Sequence, residues 1–296
     1  MQREARAIGI DLGGTKIEGV VLAADATVVE RVRVPTERER GYEHIVARVA
    51  EVVERLRPSA GGGGPVGVGT PGALARDGTL KNSNTTCLNG RPLAADLAAR
   101  LGAPVRLEND ANCFALAEAL HGSGRGRGFV FGVILGTGVG GGLVHDGRLW
   151  TGAQHIAGEW GHHSIDPAGP RCYCGRRGCV ETMLSGPALE AAYRAAGGDP
   201  APAAEVGARA AAGDPIAAAV LERWLDCFGR ALANVIDILD PDVVVLGGGL
   251  SNLDVLYGPG RDAVRRYVFN DTLATPIVRH ALGDSAGVIG AALLVA

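Results

Sequence analysis

Short apolar runs alternate with glycine clusters along this chain, and the change of rhythm marks its elements. Ile8-Gly9-Ile10-Asp11-Leu12 reads as a buried strand carrying one acid. Ile17 to Ala24 and Thr27 to Val34 read as two more strands, joined in a hairpin at Ala24-Asp25-Ala26. Further strands are expected at Pro104–Leu107, Phe129–Leu135 and Asp240–Leu246. Helices are predicted near 41–56, 92–101, 111–120, 186–196, 202–212 and 214–238, with Pro200, Pro202 and Pro215 marking starts. Asp284-Ser285 is expected to cap a last apolar helix that ends at Ala296. Gly61–Gly64 follows no strand and reads as a flexible loop.

Glycine use then points to phosphate. The chain has 46 glycines, and the informative ones follow strands. After Asp11, Gly13 and Gly14 let the chain turn so that backbone N–H groups and Thr15 can face a phosphate. A hairpin follows instead of a helix, which excludes a P-loop. The pattern recurs after Phe129–Leu135, where Gly136-Thr137-Gly138-Val139-Gly140-Gly141-Gly142 runs into Leu143-Val144 and an Asp146-Gly147 turn. Gly136, Gly138 and Gly141 match G-x-G-x-x-G, but a dinucleotide fingerprint needs a helix at this point and a strand stands there. Two strand–Gly-Thr–hairpin units suggest an internal duplication with a nucleotide between its halves. A third cluster, Gly247-Gly248-Gly249, follows a buried strand, where a flat ligand can press on bare backbone.

One more cluster carries metal chemistry. His162, Cys172, Cys174 and Cys179 fall close together, and thiolates with an imidazole form a closed tetrahedral zinc site. Gly175 and Gly178 let the intervening turn aim two sulfurs at one point. Glu159 and Glu181 flank the ligands, so the metal would fix both carboxylates. Cys87, Cys113 and Cys227 are isolated and read as ordinary thiols. Net charge is −3 with scattered Lys and Arg, giving no basic footprint for nucleic acid or an anionic membrane. With no signal-like N-terminus and no run of eighteen apolar residues, the expectation is a cytoplasmic enzyme in a reducing compartment.

These residues together resemble the ROK family of sugar kinases, repressors and related proteins, over essentially the whole length from Ile8. Asp11-Leu12-Gly13-Gly14-Thr15-Lys16 resembles the family's first phosphate loop and Leu135–Gly142 its second. Gly247-Gly248-Gly249 resembles its adenosine loop, and Glu159-x-Gly-His162 to Cys179-x-Glu181 its zinc and sugar signature. The resemblance implies an α/β, two-domain actin-like and hexokinase-like fold of duplicated ribonuclease H-like domains, each a five-stranded mixed sheet with helices, closing over a cleft. The expected domains are 1–118 plus 284–296 and 119–283, hinged near 110–125 and 280–285. ATP and catalytic Mg²⁺ are implied with structural Zn²⁺, and the partners expected are a hexose, ATP and a second copy in a homodimer.

In Glu108-Asn109-Asp110-Ala111-Asn112, Asp110 sits at a helix start as a capping carboxylate would. The resemblance makes it the base that takes the proton of the attacking sugar hydroxyl, a role phosphoryl transfer requires. Asp11 would hold Mg²⁺ through water. Gly72, Asn84, Asn109, Glu159, His162 and Glu181 would meet the sugar, His162 through the imidazole nitrogen left free by zinc. None of these is a cation, so the acceptor is expected to be a neutral hexose phosphorylated on its 6-hydroxyl. A repressor is disfavoured because only seven residues precede Ile8, and intact Asp11, Asp110 and phosphate loops speak against a non-catalytic sugar sensor. The 81–90 segment is most similar to the fructokinase (manno(fructo)kinase) branch, which implies fructose. Asn109–Leu116 is equally similar to N-acetylglucosamine kinases, and glucokinases share every core residue. Cys87 stands where the fructokinase branch usually has Trp.

Overall fold

In a computed structural model that describes residues 6–296, the elements in chain order are β1 (Ala7–Leu12), β2 (Lys16–Leu22), β3 (Val28–Pro35), α1 (Tyr42–Ala60), β4 (Val66–Thr70), β5 (Ala73–Leu74), β6 (Leu80–Lys81), α2 (Leu93–Leu101), β7 (Val105–Asn109) and α3 (Asp110–His121). They continue with β8 (Phe129–Leu135), β9 (Val139–His145), β10 (Arg148–Leu149), α4 (Val180–Leu184), α5 (Gly186–Ala195), α6 (Ala203–Ala211), α7 (Pro215–Leu239), β11 (Val243–Gly247), α8 (Pro259–Arg265), β12 (Ile277–Arg279) and α9 (Ala286–Leu293). The chain divides into two compact units, one running to His121 with 148–157 and 282–296, the other holding 122–147 and 158–281.

In the first unit the sheet order is β3-β2-β1-β4-β7. β1 pairs antiparallel with β2 and parallel with β4, so it is central, which fits its nearly continuous burial. α1 closes one face with Ile45, Val49, Val52, Val53 and Leu56, none of them measurably exposed. The other face carries α9, whose backbone comes so near β1 and β4 that Gly9 and Gly67 have no room for a Cβ. β1 and β7 end near one another, just past Asp11 and at Asn109, and α3 starts at Asp110.

The second unit repeats the theme. β9, β8, β11 and β12 lie side by side, with β8–β9 antiparallel and β11 parallel to both β8 and β12. The long α7 packs its apolar stripe, including Trp224, Phe228 and Leu232, into the core. Its start obeys local rules: Asp214 accepts hydrogen bonds from the amides of Ile216 and Ala217, with Pro215 at the first helical position. The expected start of the last helix is different. The Ser285 side chain does not cap α9, because Ser285 ends a short 3-10 turn with helical backbone angles (φ −88°, ψ −8°), and its Oγ accepts from Arg31 Nη2 at 2.9 Å instead. None of the described helices is long and apolar enough to cross a membrane.

Candidate active site and metal centre

The first phosphate loop is a tight turn built into the β1–β2 hairpin. Gly13 N–H donates to Lys16 O at 3.0 Å, and buried Thr36 locks the turn by donating from its hydroxyl to Gly13 O at 2.7 Å. Lys16 is held back by Glu18 at 3.3 Å. Asp11 precedes the turn on β1, and its carboxyl is pushed up to about 7, first by burial and then by the charge of Asp110. Burial likewise raises the Asp110 carboxyl, against the lowering effect of the Ala111 amide, which donates to Oδ1 at 2.9 Å. Two desolvated carboxylates, the charge of one raising the other, are a poor arrangement alone and a good one around a divalent cation, so the donor chemistry fits Mg²⁺.

Asp110 is the first residue of α3, reached directly from β7. Asn109, one step earlier, is largely committed inside the protein. Its Nδ2 donates to Gly72 O at 2.7 Å and its Oδ1 accepts from Ala111 N–H at 2.8 Å. That makes it a strut that ties Asp110 to Gly72 and leaves one amide hydrogen for a ligand. Gly72, at φ 97°, would place a Cβ 2.6 Å from Lys81 O, so the 81–90 loop lies directly on it. Asn89 braces that loop, accepting from Ser83 N–H at 2.8 Å and donating to Ser83 O at 3.0 Å. Exposed Asn84 stands on the braced segment beside buried Ser83 and Thr85. Gly72, Asn84, Asn109, Asp110 and the Asp11 loop therefore share one rim of the first unit.

The second unit brings the metal cluster and the second loop together. The ligand atoms of His162, Cys172, Cys174 and Cys179 all lie within 4.8 Å of one another. His162 Nδ1 is 3.5 Å from Cys172 Sγ, and Cys174 Sγ is 3.6 Å from Cys179 Sγ. Bond lengths of about 2.1 and 2.3 Å at tetrahedral angles require about 3.6 Å between nitrogen and sulfur and about 3.8 Å between sulfurs. The donor set fits zinc. Gly178 makes the turn possible, since a Cβ there would fall 1.7 Å from Asp166 O. Burial opposes ionisation of Cys174, but the Arg176 backbone and side chain bring its thiol down to about 6.

Glu181 links this cluster to the second phosphate loop. Its Oε2 accepts from Val139 N–H at 3.0 Å, and a Cβ on Gly138 would stand 2.8 Å from that oxygen. Gly136 N–H donates to Gly138 O at 3.0 Å, which curls the loop and leaves Thr137 outermost. Glu159 is exposed just before the turn that carries His162. The Nε2 of His162, the nitrogen expected to meet sugar, is 2.9 Å from the hydroxyl of Tyr173, a residue sequence reasoning did not single out. Gly247 ends β11, and Gly248 and Gly249 follow it in a bare turn closed by Ser251, whose N–H and Oγ both donate to Gly248 O. Of the residues sequence reasoning missed, Thr36, Asn89 and Tyr173 act through contacts that no local motif encodes.

A duplicated strand–turn–hairpin unit with paired acids at the strand ends defines an actin-like, hexokinase-like phosphotransferase fold. The ROK family sequence profile matches residues 7–296, and the chain belongs to that family. It is 40% identical over 297 residues to the N-acetyl-D-glucosamine kinase of Escherichia coli (strain K12 / DH10B), covering 97% of this chain and 98% of that one. It is 37% identical over 294 residues to the N-acetylgalactosamine kinase AgaK of Shewanella sp. (strain ANA-3), covering 97% and 95%. Among solved structures, a ROK family glucokinase from Streptomyces griseus in complex with glucose and AMPPNP superposes with a TM-score of 0.83 at 29% identity, covering 98% of this chain and 99% of that one. The chain is an ATP-dependent sugar kinase. The fructokinase branch expected from the 81–90 segment finds no support in these likenesses, whose named substrates are amino sugars and glucose.

Proposed function

We propose that this kinase transfers the γ-phosphoryl group of ATP to the 6-hydroxyl of an N-acetylhexosamine, with N-acetylglucosamine preferred. The observation that carries the reading is the near-complete, 40% identical match to an N-acetyl-D-glucosamine kinase. Residue size is compatible with it: Cys87 is a small, half-buried side chain where the fructokinase branch usually has Trp. Asp110 accepts the proton of the attacking hydroxyl, and the burial that raises its carboxyl makes it the stronger base. Asp11 would hold Mg²⁺ through water, and the ion would supply positive charge to the ATP phosphates. Gly13, Gly14, Thr15, Gly136, Thr137 and Gly138 offer backbone and hydroxyl donors to phosphate, and Gly247, Gly248 and Gly249 flat backbone to adenosine. Gly72, Asn84, Asn109, Glu159, His162 and Glu181 hold the sugar ring, and a structural zinc on His162, Cys172, Cys174 and Cys179 fixes the last two of these.

The test is kcat/KM for N-acetylglucosamine, N-acetylgalactosamine, glucose, mannose and fructose at one saturating ATP concentration. N-acetylglucosamine is expected to lead by at least about tenfold, which is about 1.4 kcal/mol of transition-state preference. Fructose in first place would restore the fructokinase reading and end this one.

A further inference from the structure

The cations around the first phosphate loop are nearly all committed to carboxylates. Lys16, Arg31 and Arg33 converge on buried Glu18, and Arg40 and Arg48 approach Glu37. Arg38 is the exception: among the described residues no carboxylate comes within ion-pair distance of it. It begins a short 3-10 turn, Arg38–Arg40, directly after β3, set off by Glu37 in the left-handed region at φ 51°. Its guanidinium reaches back to the loop. A Cβ placed on Gly14 would lie 3.3 Å from Arg38 Nη1 and 3.5 Å from Thr85 Oγ1. Gly14 belongs to the first phosphate loop and Thr85 to the segment carrying Asn84. The Arg38 carbonyl also faces that segment, with Cys87 Sγ 3.9 Å away. The guanidinium thus lies where the phosphate loop and the sugar loop of the first unit meet, a place where sequence reasoning expected no cation.

We propose that Arg38 is a catalytic residue that donates hydrogen bonds to the phosphoryl group being transferred, as the γ-phosphate of ATP and then as the 6-phosphate of the product. This rests on the kinase reading above and adds a residue to it. A planar, permanently charged guanidinium suits the spread charge of a phosphoryl group in flight, and an unpaired one has no carboxylate to leave first. In the step, the bond from the sugar O6 to phosphorus forms and the bond from phosphorus to the ADP oxygen breaks. The hydroxyl proton passes to Asp110, and Arg38 takes no proton.

Two variants test this: Arg38→Ala and Arg38→Lys. Loss of one charge-assisted donor pair predicts a kcat about 10- to 100-fold lower in Arg38→Ala, with the amino-sugar KM nearly unchanged. Arg38→Lys should recover part of the loss, and millimolar guanidinium chloride should partly rescue Arg38→Ala. Calorimetry supplies a readout independent of turnover. Arg38→Ala should bind the Mg²⁺ complex of a β,γ-imido ATP analogue and the amino-sugar 6-phosphate at least about fivefold more weakly, with ADP unchanged. Weakening of the analogue alone would restrict the contact to the γ-phosphate of ATP, and of the sugar phosphate alone to the product; either keeps Arg38 on a phosphoryl group. A kcat within threefold of wild type, or equal weakening of ADP and the analogue, overturns the inference. Wild-type protein inactive on every hexose would defeat the kinase reading, and the calorimetric comparison would still decide Arg38.

Discussion

Removing the charge of Asp11 should stabilise the metal-free protein, and increasingly so as pH rises. The carboxyl goes from 3.8 to about 7 in the folded chain, with burial the larger cause and the Asp110 charge the second. A folded value above the unfolded one means that the folded state holds the proton longer. Stability from this group is therefore fully present below about pH 4 and is lost as pH rises to about 7. At 1.36 kcal/mol per tenfold step, the loss has an upper bound of about 4 kcal/mol at pH 8, against about 1.5 kcal/mol at pH 5. Asp11→Asn keeps the size and removes the ionisation. Its gain over wild type should grow by about 2–3 kcal/mol between pH 5 and pH 8, or roughly 3–5 °C in melting temperature. The assay is thermal unfolding in Mg²⁺-free buffer without chelator, so that any zinc is left in place. Adding Mg²⁺ with ATP should then raise the melting temperature of wild type more than that of Asp11→Asn. An equal difference between the two proteins at both pH values would refute the buried, charge-coupled carboxyl, and with it the argument that this site favours a divalent cation.

Asp110→Asn should lower kcat by about 10²–10⁴-fold with sugar affinity largely kept, because an amide cannot accept the proton; a steady-state rate within threefold of wild type would remove Asp110 as the base. Cys174→Ser and Cys179→Ser should each lose metal by mass spectrometry and unfold at lower temperature, since binding at a structural site is folding free energy. Full zinc content with unchanged melting in both variants would disprove the metal centre. Gly290→Ala should cost at least about 3 kcal/mol or prevent soluble expression, because its Cβ would fall 1.8 Å from Cys113 O where α3 and α9 cross.

Much of the fold was legible because its signals are local. The two hairpins after Asp11 and Leu135 announce themselves through glycine turns between apolar runs, and α7 through Asp214 and Pro215. The metal cluster was legible for the same reason, since its ligands are near neighbours in sequence and their spacing limits what they can surround. The readings that changed depend on residues far apart in the chain. Ser285 looks like a cap in sequence, but its hydroxyl accepts from Arg31, 254 positions earlier, and makes no capping bond. Asn109 looks like a free amide until Gly72 O, 37 positions earlier, takes its donor.

The same distinction applies to Arg38. Arginines at 31, 33, 38 and 40 look alike in sequence, a solvated charge run on and after a strand. Only the packing sorts them. On β3, Arg31 and Arg33 point to the Glu18 side of the sheet, where Lys16 joins them around one buried carboxylate. Past Pro35 the chain turns through Glu37, and the alternation that would have sent Arg38 to one face of a strand no longer applies. The turn instead carries it toward Gly14, while Arg40 stays with Glu37 at 3.4 Å. What separates a solvated arginine from one facing a phosphate loop is thus the geometry of a single left-handed residue, Glu37. A glycine there would keep that geometry available at little cost, whereas a β-branched residue would resist it. Glu37→Gly should therefore preserve kcat, and Glu37→Val should lower it toward the level of Arg38→Ala. If Glu37→Val is folded and fully active, the turn does not position Arg38.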